Sequence, residues 1–242
     1  MKLPLYRIAA LALTVALIAP VSAVTLYDPA GGLPSNPPWT TYPVCCDSIV
    51  SGLLRIDTDT LGLATQHGHG RSSPIDLDTA AGFSLSFGLR VNSESHSSGD
   101  RAGFSLLVQG LDESKAIQLS FWSNAIWASD ALFVKAESVV SPLVVPTVFQ
   151  TYTLQVAGNA YTLSSTAAAG TLLSGSLRDY PVAAHPIYGA SNVIWFGDNT
   201  SSAKAIVDIG AITLTPIPEP ASALMLLAGL AGIGAFAARR RA

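Results

Sequence analysis

The sequence predicts an all-β domain, a sandwich or barrel, with a distinct apolar segment at each end of the chain. Three observations carry this. Short runs in the middle of the chain alternate apolar and polar residues with a period of two. Gly, Ser and Asn clusters punctuate those runs at short intervals, where turns need them. No stretch between Val24 and Thr215 shows a convincing amphipathic-helix pattern.

The N-terminus carries Lys2 and Arg7, an apolar run over 8–19 and the small-residue site Val21-Ser22-Ala23. That order predicts a secretory signal peptide over 1–23, cleaved after Ala23. Residues 24–48 follow, with Pro29, Pro34, Pro37, Pro38 and Pro43, and at that density they predict an irregular lead-in. Trp39 and Tyr42 are expected to dock it onto the domain. Strands are expected at 49–57, 60–66, 83–91, 102–109, 117–121 and 132–137. The clearest is 83–91, where Phe83, Leu85, Phe87, Leu89 and Val91 point one way. Runs 150–156 and 160–164 read as a hairpin about Gly158 and Asn159, both expected at positive φ. Strands at 172–177, 193–196 and 203–214 close a domain spanning 49–215.

The last segment, 216–242, has three parts. Pro218, Glu219 and Pro220 form a stiff, extended joint. Residues 221–238 carry no charge and make a helix of roughly 27 Å, enough to cross a bilayer core. Arg239, Arg240 and Arg241 prefer the cytoplasmic side. In that order, these parts resemble the PEP-CTERM sorting signal, with Ile217 where the usual form has Val. The resemblance implies export, transient anchoring in the inner membrane and recognition by an exosortase, a setting that tends to accompany exopolysaccharide production. A second resemblance, in the order and composition of the strands over 49–215, is to the concanavalin A-like or laminin-G-like jelly roll. It implies a β-sandwich of a kind that often binds glycans, sometimes through calcium, and that includes some glycoside hydrolases.

The mean hydropathy of +0.42 reflects the two ends. Of 13 Lys and Arg, five lie in those ends, and of 16 Asp and Glu only Glu219 does, so the middle is net −7. An acidic exported domain repels phosphates, which excludes nucleic acid as a partner. The two cysteines, Cys45 and Cys46, are adjacent. In an oxidising compartment they form a vicinal disulfide, pair with another chain, or stay as buried thiols.

Hydrolysis finds little support. The paired-carboxylate patterns of jelly-roll glucanases are absent, as is Gly-x-Ser-x-Gly, so no catalytic residue is assigned and a non-enzyme is expected. His67-Gly68-His69-Gly70 brings two imidazoles together in what reads as a solvated loop. On a strand they share one face and suit zinc or copper, but no third ligand is adjacent. Calcium is a candidate cofactor, with Asp57, Asp59, Asp76, Asp78, Asp198 and Asn199 as oxygen donors. Their alternative role is turn formation. Asp198 and Asn199, in a polar loop before the last strand, are the candidate glycan or calcium contacts. Trp122, Trp127, Trp195 and Tyr188 are candidate platforms for sugars, although Trp122 and Trp195 adjoin core positions, which favours packing. The polar stretch 92–101 reads as a solvated hairpin connection. The reading that results is an exported surface or matrix protein that binds or organises extracellular polysaccharide. Its rivals are a carbohydrate-active enzyme and a purely structural matrix protein.

Overall fold

The structure, a computed structural model, describes residues 22–43, 45–60, 66–141, 146–184 and 186–217. The described chain is all-β. Its strands are β1 (Val24–Tyr27), β2 (Thr40–Tyr42), β3 (Asp47–Val50), β4 (Leu53–Asp57), β5 (His67–Arg71), β6 (Phe83–His96), β7 (Ser105–Gln109), β8 (Ala116–Phe121), β9 (Ala125–Ser129), β10 (Lys135–Val140), β11 (Gln150–Ala157), β12 (Ala160–Ser165), β13 (Thr171–Ser176), β14 (Val193–Asp198) and β15 (Ala203–Pro216). They form two antiparallel sheets. One has eight strands in the order β13-β12-β11-β6-β15-β4-β3, with β1 also on β15; the other has seven in the order β10-β9-β8-β7-β14-β5-β2. Among the described residues the helical segments are three short 3₁₀ turns, and no helix is long and apolar enough to cross a membrane.

The core lies between the sheets and follows from the alternation. On β6, Phe83, Leu85, Phe87, Leu89 and Val91 point inward, and on β15 Val207, Ile209, Ile212 and Leu214 do the same. The facing sheet contributes Leu106, Val108, Ile117, Leu119, Ile194 and Phe196. Phe87, Phe121 and Tyr152 pack ring to ring across the gap at 5.3–6.1 Å between centroids.

Several expectations are corrected. The 24–48 lead-in is not irregular throughout: β1 adds to β15 in one sheet and β2 to β5 in the other. Its prolines fall largely between these short edge strands, where no ladder hydrogen bond is lost. Run 49–57 lies within a hairpin, β3–β4, turned at Ser51 and Gly52, both at positive φ. In the β11–β12 hairpin Gly158 takes φ 62, whereas Asn159 keeps a negative φ. Strand β6 continues to His96 because β15 keeps pairing with it, Ala203 opposite His96, so only the end of the 92–101 stretch is a connection. The 132–137 strand starts at Lys135, after a turn in which Asp130 accepts from the amides of Leu132 and Val134. Strand β9 has no counterpart in the sequence reading. The expected strand 60–66 falls largely outside the described residues.

The long strand β15 sets the geometry of the whole domain. Val24, the residue after Ala23, pairs with Leu214, and Pro216 pairs with Phe83, so both ends of the described chain meet at one end of the sandwich. Fourteen residues of strand place the other end of β15, at Ala203, about 45 Å away.

Candidate functional site

Four strands of the seven-stranded sheet are buried on both faces: β7, β8, β9 and β14 each read as continuously buried. Their inward residues enter the core. Their outward residues include Leu107, Ala116 and Trp195, which cluster with Tyr180 and Tyr188 from the segment that crosses this face. That segment is tied down by polar bonds. The Tyr180 hydroxyl donates to the Ser129 carbonyl (2.8 Å) and accepts from the Gln118 amide (3.0 Å). Gln109 donates to the Tyr188 carbonyl (2.8 Å).

The cover leaves two adjoining clefts. The larger, about 540 Å³, is lined by Trp195, Tyr42, Ile187 and the backbone-rich strand Gly68 to Gly70. The smaller, about 130 Å³, is lined by Ser105, Gln118, Ser120, Tyr188, Asp100 and Arg101. Asn199 lines both. Its amide donates to the Tyr188 hydroxyl (2.8 Å) and to Gln118 Oε1 (3.1 Å), and Tyr188 donates to the same Gln118 oxygen (2.5 Å). The Ser105 and Ser120 hydroxyls lie 3.1 Å apart. The clefts thus combine aromatic rings with fixed amide and hydroxyl groups.

Strand β5 explains the floor. His67 and His69 point into the molecule, and Gly68 and Gly70 point out under the Trp195 ring. A Cβ on Gly68 would fall inside that ring's van der Waals envelope and 2.6 Å from the Phe196 carbonyl. The His-Gly-His-Gly run is therefore a buried strand rather than a solvated loop, and its glycines make room for an indole. Both imidazoles meet one carboxylate, Asp47, brought in by β3 of the other sheet. His67 Nε2 lies 2.7 Å from Asp47 Oδ1, and His69 Nε2 lies 3.3 Å from Oδ2. Burial acts to raise the Asp47 carboxyl, but bonds and charge from the two histidines outweigh it and hold it below the usual range. Burial acts to lower His67, but Asp47 outweighs it and raises the imidazole.

Of the residues named from the sequence, Asn199 lines the clefts and Asp198 lies beside it, buried at the end of β14. Burial pushes the Asp198 carboxyl up to about 7, partly offset by the Thr200 amide that donates to it (3.0 Å). Asp198 is thus an end-of-strand residue rather than part of an open loop. Asp57 accepts from the amides of Asp59 and Thr60, and Asp78 from those of Ala80 and Ala81, as turn formers. Among the described residues, none of Asp57, Asp59, Asp76, Asp78 and Asp198 belongs to a convergent group of three His, Cys, Asp or Glu ligand atoms. Trp195 packs on the outer face, not in the core. Trp122 is half-buried: it stacks on His96 at 3.8 Å, donates to the Arg101 carbonyl (2.8 Å) and lies under the Lys135 ammonium. Trp127 is fully buried against it, and Trp39 is core. Tyr188 lines the smaller cleft. Cys45 and Cys46 are bonded to each other. Ala23 is exposed. Pro218, Glu219, Pro220 and the three arginines lie outside the described residues, as does His185. Sequence reasoning missed Gln118, Ser105 and Ser120. The signal was there, since they are polar residues on the off-beat of strands whose other face is apolar, but that pattern also describes a solvated face.

Residues 216–241 match the family model of the PEP-CTERM protein-sorting motif. The chain carries a PEP-CTERM sorting motif. The motif implies an exported protein that is anchored transiently in a membrane and processed by an exosortase. No curated protein sequence matches the chain significantly. The fold is similar to a carbohydrate esterase, vb_24B_21, from the Shiga toxin-encoding bacteriophage phi24B, at 14% identity over 81% of this chain and 99% of that one, TM-score 0.56. It is also similar to the metal-free form of lectin I-B4 from Griffonia simplicifolia, at 12% identity over 80% and 98% of the two chains, TM-score 0.51. A lectin from Bauhinia forficata in complex with GalNAc aligns at 15% identity over 82% and 100% of the two chains, TM-score 0.49. The first two likenesses show the fold alone, a jelly-roll β-sandwich.

Proposed function

We propose that this exported protein binds extracellular polysaccharide through the two adjoining clefts on the outer face of the seven-stranded sheet, without cleaving it. One observation carries the reading. Asn199 joins a cleft walled by Trp195 and Tyr42 to one walled by Gln118, Ser105, Ser120 and Tyr188. The exposed Tyr42 ring, which can stack on an apolar sugar face, and the edge of Trp195, beside fixed amides and hydroxyls that pair with ring hydroxyls, suit a run of neutral sugar units.

The carboxylates favour binding over hydrolysis. Asp100 and Asp198 line the clefts, and each already accepts a backbone amide, from Lys135 and Thr200. A glycosidase needs two carboxylates at a set separation across one bond, and these two line different clefts. Calcium has no part in the proposal, because among the described residues none of the aspartates expected to hold it belongs to a convergent group of ligand atoms. The fold also displays the site: Asn199 sits beside the start of β15, and the sorting motif begins at its far end, so an anchored chain holds the clefts about 45 Å outward.

The test is retention of the purified full chain on immobilised extracellular polysaccharides. The expected result is binding to at least one polysaccharide, weakened about tenfold by Asn199→Ala and by Trp195→Ala. Binding unchanged in both variants would move the site elsewhere, and release of sugar fragments would contradict the non-catalytic reading.

A further inference from the structure

We propose that Asp47, His67 and His69 bind one divalent transition-metal ion, zinc by preference, and so clip the two sheets together beneath the clefts. The proposal rests on how the donors are aimed. The Pro43 carbonyl, which can only accept, lies 2.6 Å from His67 Nδ1. The Nδ1 proton is therefore committed to Pro43, and Nε2 meets Asp47 Oδ1 at 2.7 Å through either a second ring proton or a metal ion. A proton satisfies this one contact, as a charge-assisted hydrogen bond. At His69, Nδ1 pairs with the Thr41 hydroxyl at 2.8 Å, which can accept from it or donate to it, and Nε2 faces the same carboxylate at 3.3 Å. A proton on one ring serves one of these contacts, whereas a metal ion serves all three groups together.

Size and chemistry agree. A tetrahedron with metal–ligand bonds of about 2.0 Å has edges of roughly 3.3 Å. The His69–Asp47 separation, 3.3 Å, matches that edge, the His67–Asp47 separation of 2.7 Å is a hydrogen-bond length that opens by about 0.6 Å when an ion enters, and the three donor atoms lie within 4.8 Å of one another. Two imidazoles and one carboxylate suit zinc and exclude a hard ion such as calcium. The Pro43 carbonyl and the Thr41 hydroxyl are the outer partners that fix ring orientation in such sites. Both imidazoles are fully buried, while the Asp47 side chain keeps 11% exposure, which gives an ion its way in. The neighbouring sulfurs of Cys45 and Cys46 are bonded to each other and supply no thiolate. Three protein ligands leave a fourth position for water.

The experiment strips the full chain with a chelator and titrates it with zinc, then with cobalt. The expected result is one zinc per chain, visible cobalt absorption of the strong four-coordinate type, and a Tm raised by about 5–10 °C at a hundredfold excess over Kd. Thr41→Val, which keeps all three ligands, is expected to weaken zinc about tenfold. His69→Asn is expected to weaken it further, and His96→Ala, at an exposed histidine, to change nothing. If His69→Asn does not fold, the wild-type cobalt spectrum and Thr41→Val still decide. A folded wild-type chain that retains no zinc, or that holds it equally well as Thr41→Val, overturns the proposal and leaves a buried His–Asp cluster only.

Discussion

On the outer face of the eight-stranded sheet, Asp208 of β15 sits between Arg55 of β4 and Arg90 of β6. On the outer face of the seven-stranded sheet, Trp195 of β14 lies under a segment bearing Tyr180 and Tyr188. In the first case neighbouring strands supply the partners directly: Arg55 reaches Asp208 at 2.8 Å and Arg90 pairs with its other oxygen. Burial acts to raise the Asp208 carboxyl, but the two guanidinium groups outweigh it and hold it low. The charges satisfy one another, and nothing is left open. In the second case the outward side chains are large, apolar or singly polar, and a loop must cover them. A loop fills such a face incompletely, and the clefts are what it leaves. The proposed binding surface is the one whose own strands could not complete it.

The difference can be sharpened by changing one residue at a time. The largest effect is expected at Asp198, the acid buried beside the clefts. Its folded pKa of about 7 exceeds the unfolded value of 3.8, so the folded chain binds more protons between these limits and stability falls as pH rises through them. The full cost at pH 8 is on the order of 4 kcal/mol. Asp198→Asn keeps an acceptor for the Thr200 amide and is expected to be the more stable protein at pH 8, with the gain vanishing near pH 4. Urea unfolding across that range checks it, and parallel pH profiles for the two proteins would contradict it.

Asp208→Asn tests the other face in the opposite direction. Removing the charge between two arginines is expected to cost about 3 kcal/mol at pH 7. Because the folded pKa lies below 3.8, the wild-type advantage is present above that value and fades as pH falls further. Polysaccharide retention is expected to be unchanged, since the residue is on the far side of the core. Gly68→Ala, on the cleft floor, is expected to cost about 2 kcal/mol and to weaken retention as well, because its Cβ displaces Trp195. Chemical denaturation and a retention assay on the same samples separate the two effects.

The same contrast explains what could be read from the sequence. Strands β6, β11 and β15 show their alternation because one face is apolar and the other carries Ser, Thr, Arg and Asp. The seven-stranded sheet hides it, because Leu107 and Trp195 are apolar on the outward face too. Strand β5 was least legible: two glycines look like a flexible loop until the Trp195 ring that needs their space is seen. Asn199 was legible as a polar group at a strand end. Asp47 was not legible as the partner of His67 and His69, because twenty residues and a change of sheet separate it from them.

The most direct measurement is the affinity of the full chain for a retained polysaccharide, by calorimetry, in wild type and Asn199→Ala. The account predicts a loss of about tenfold, roughly 1.4 kcal/mol, with unfolding midpoints that stay together. Equal affinities in two equally stable proteins would contradict it.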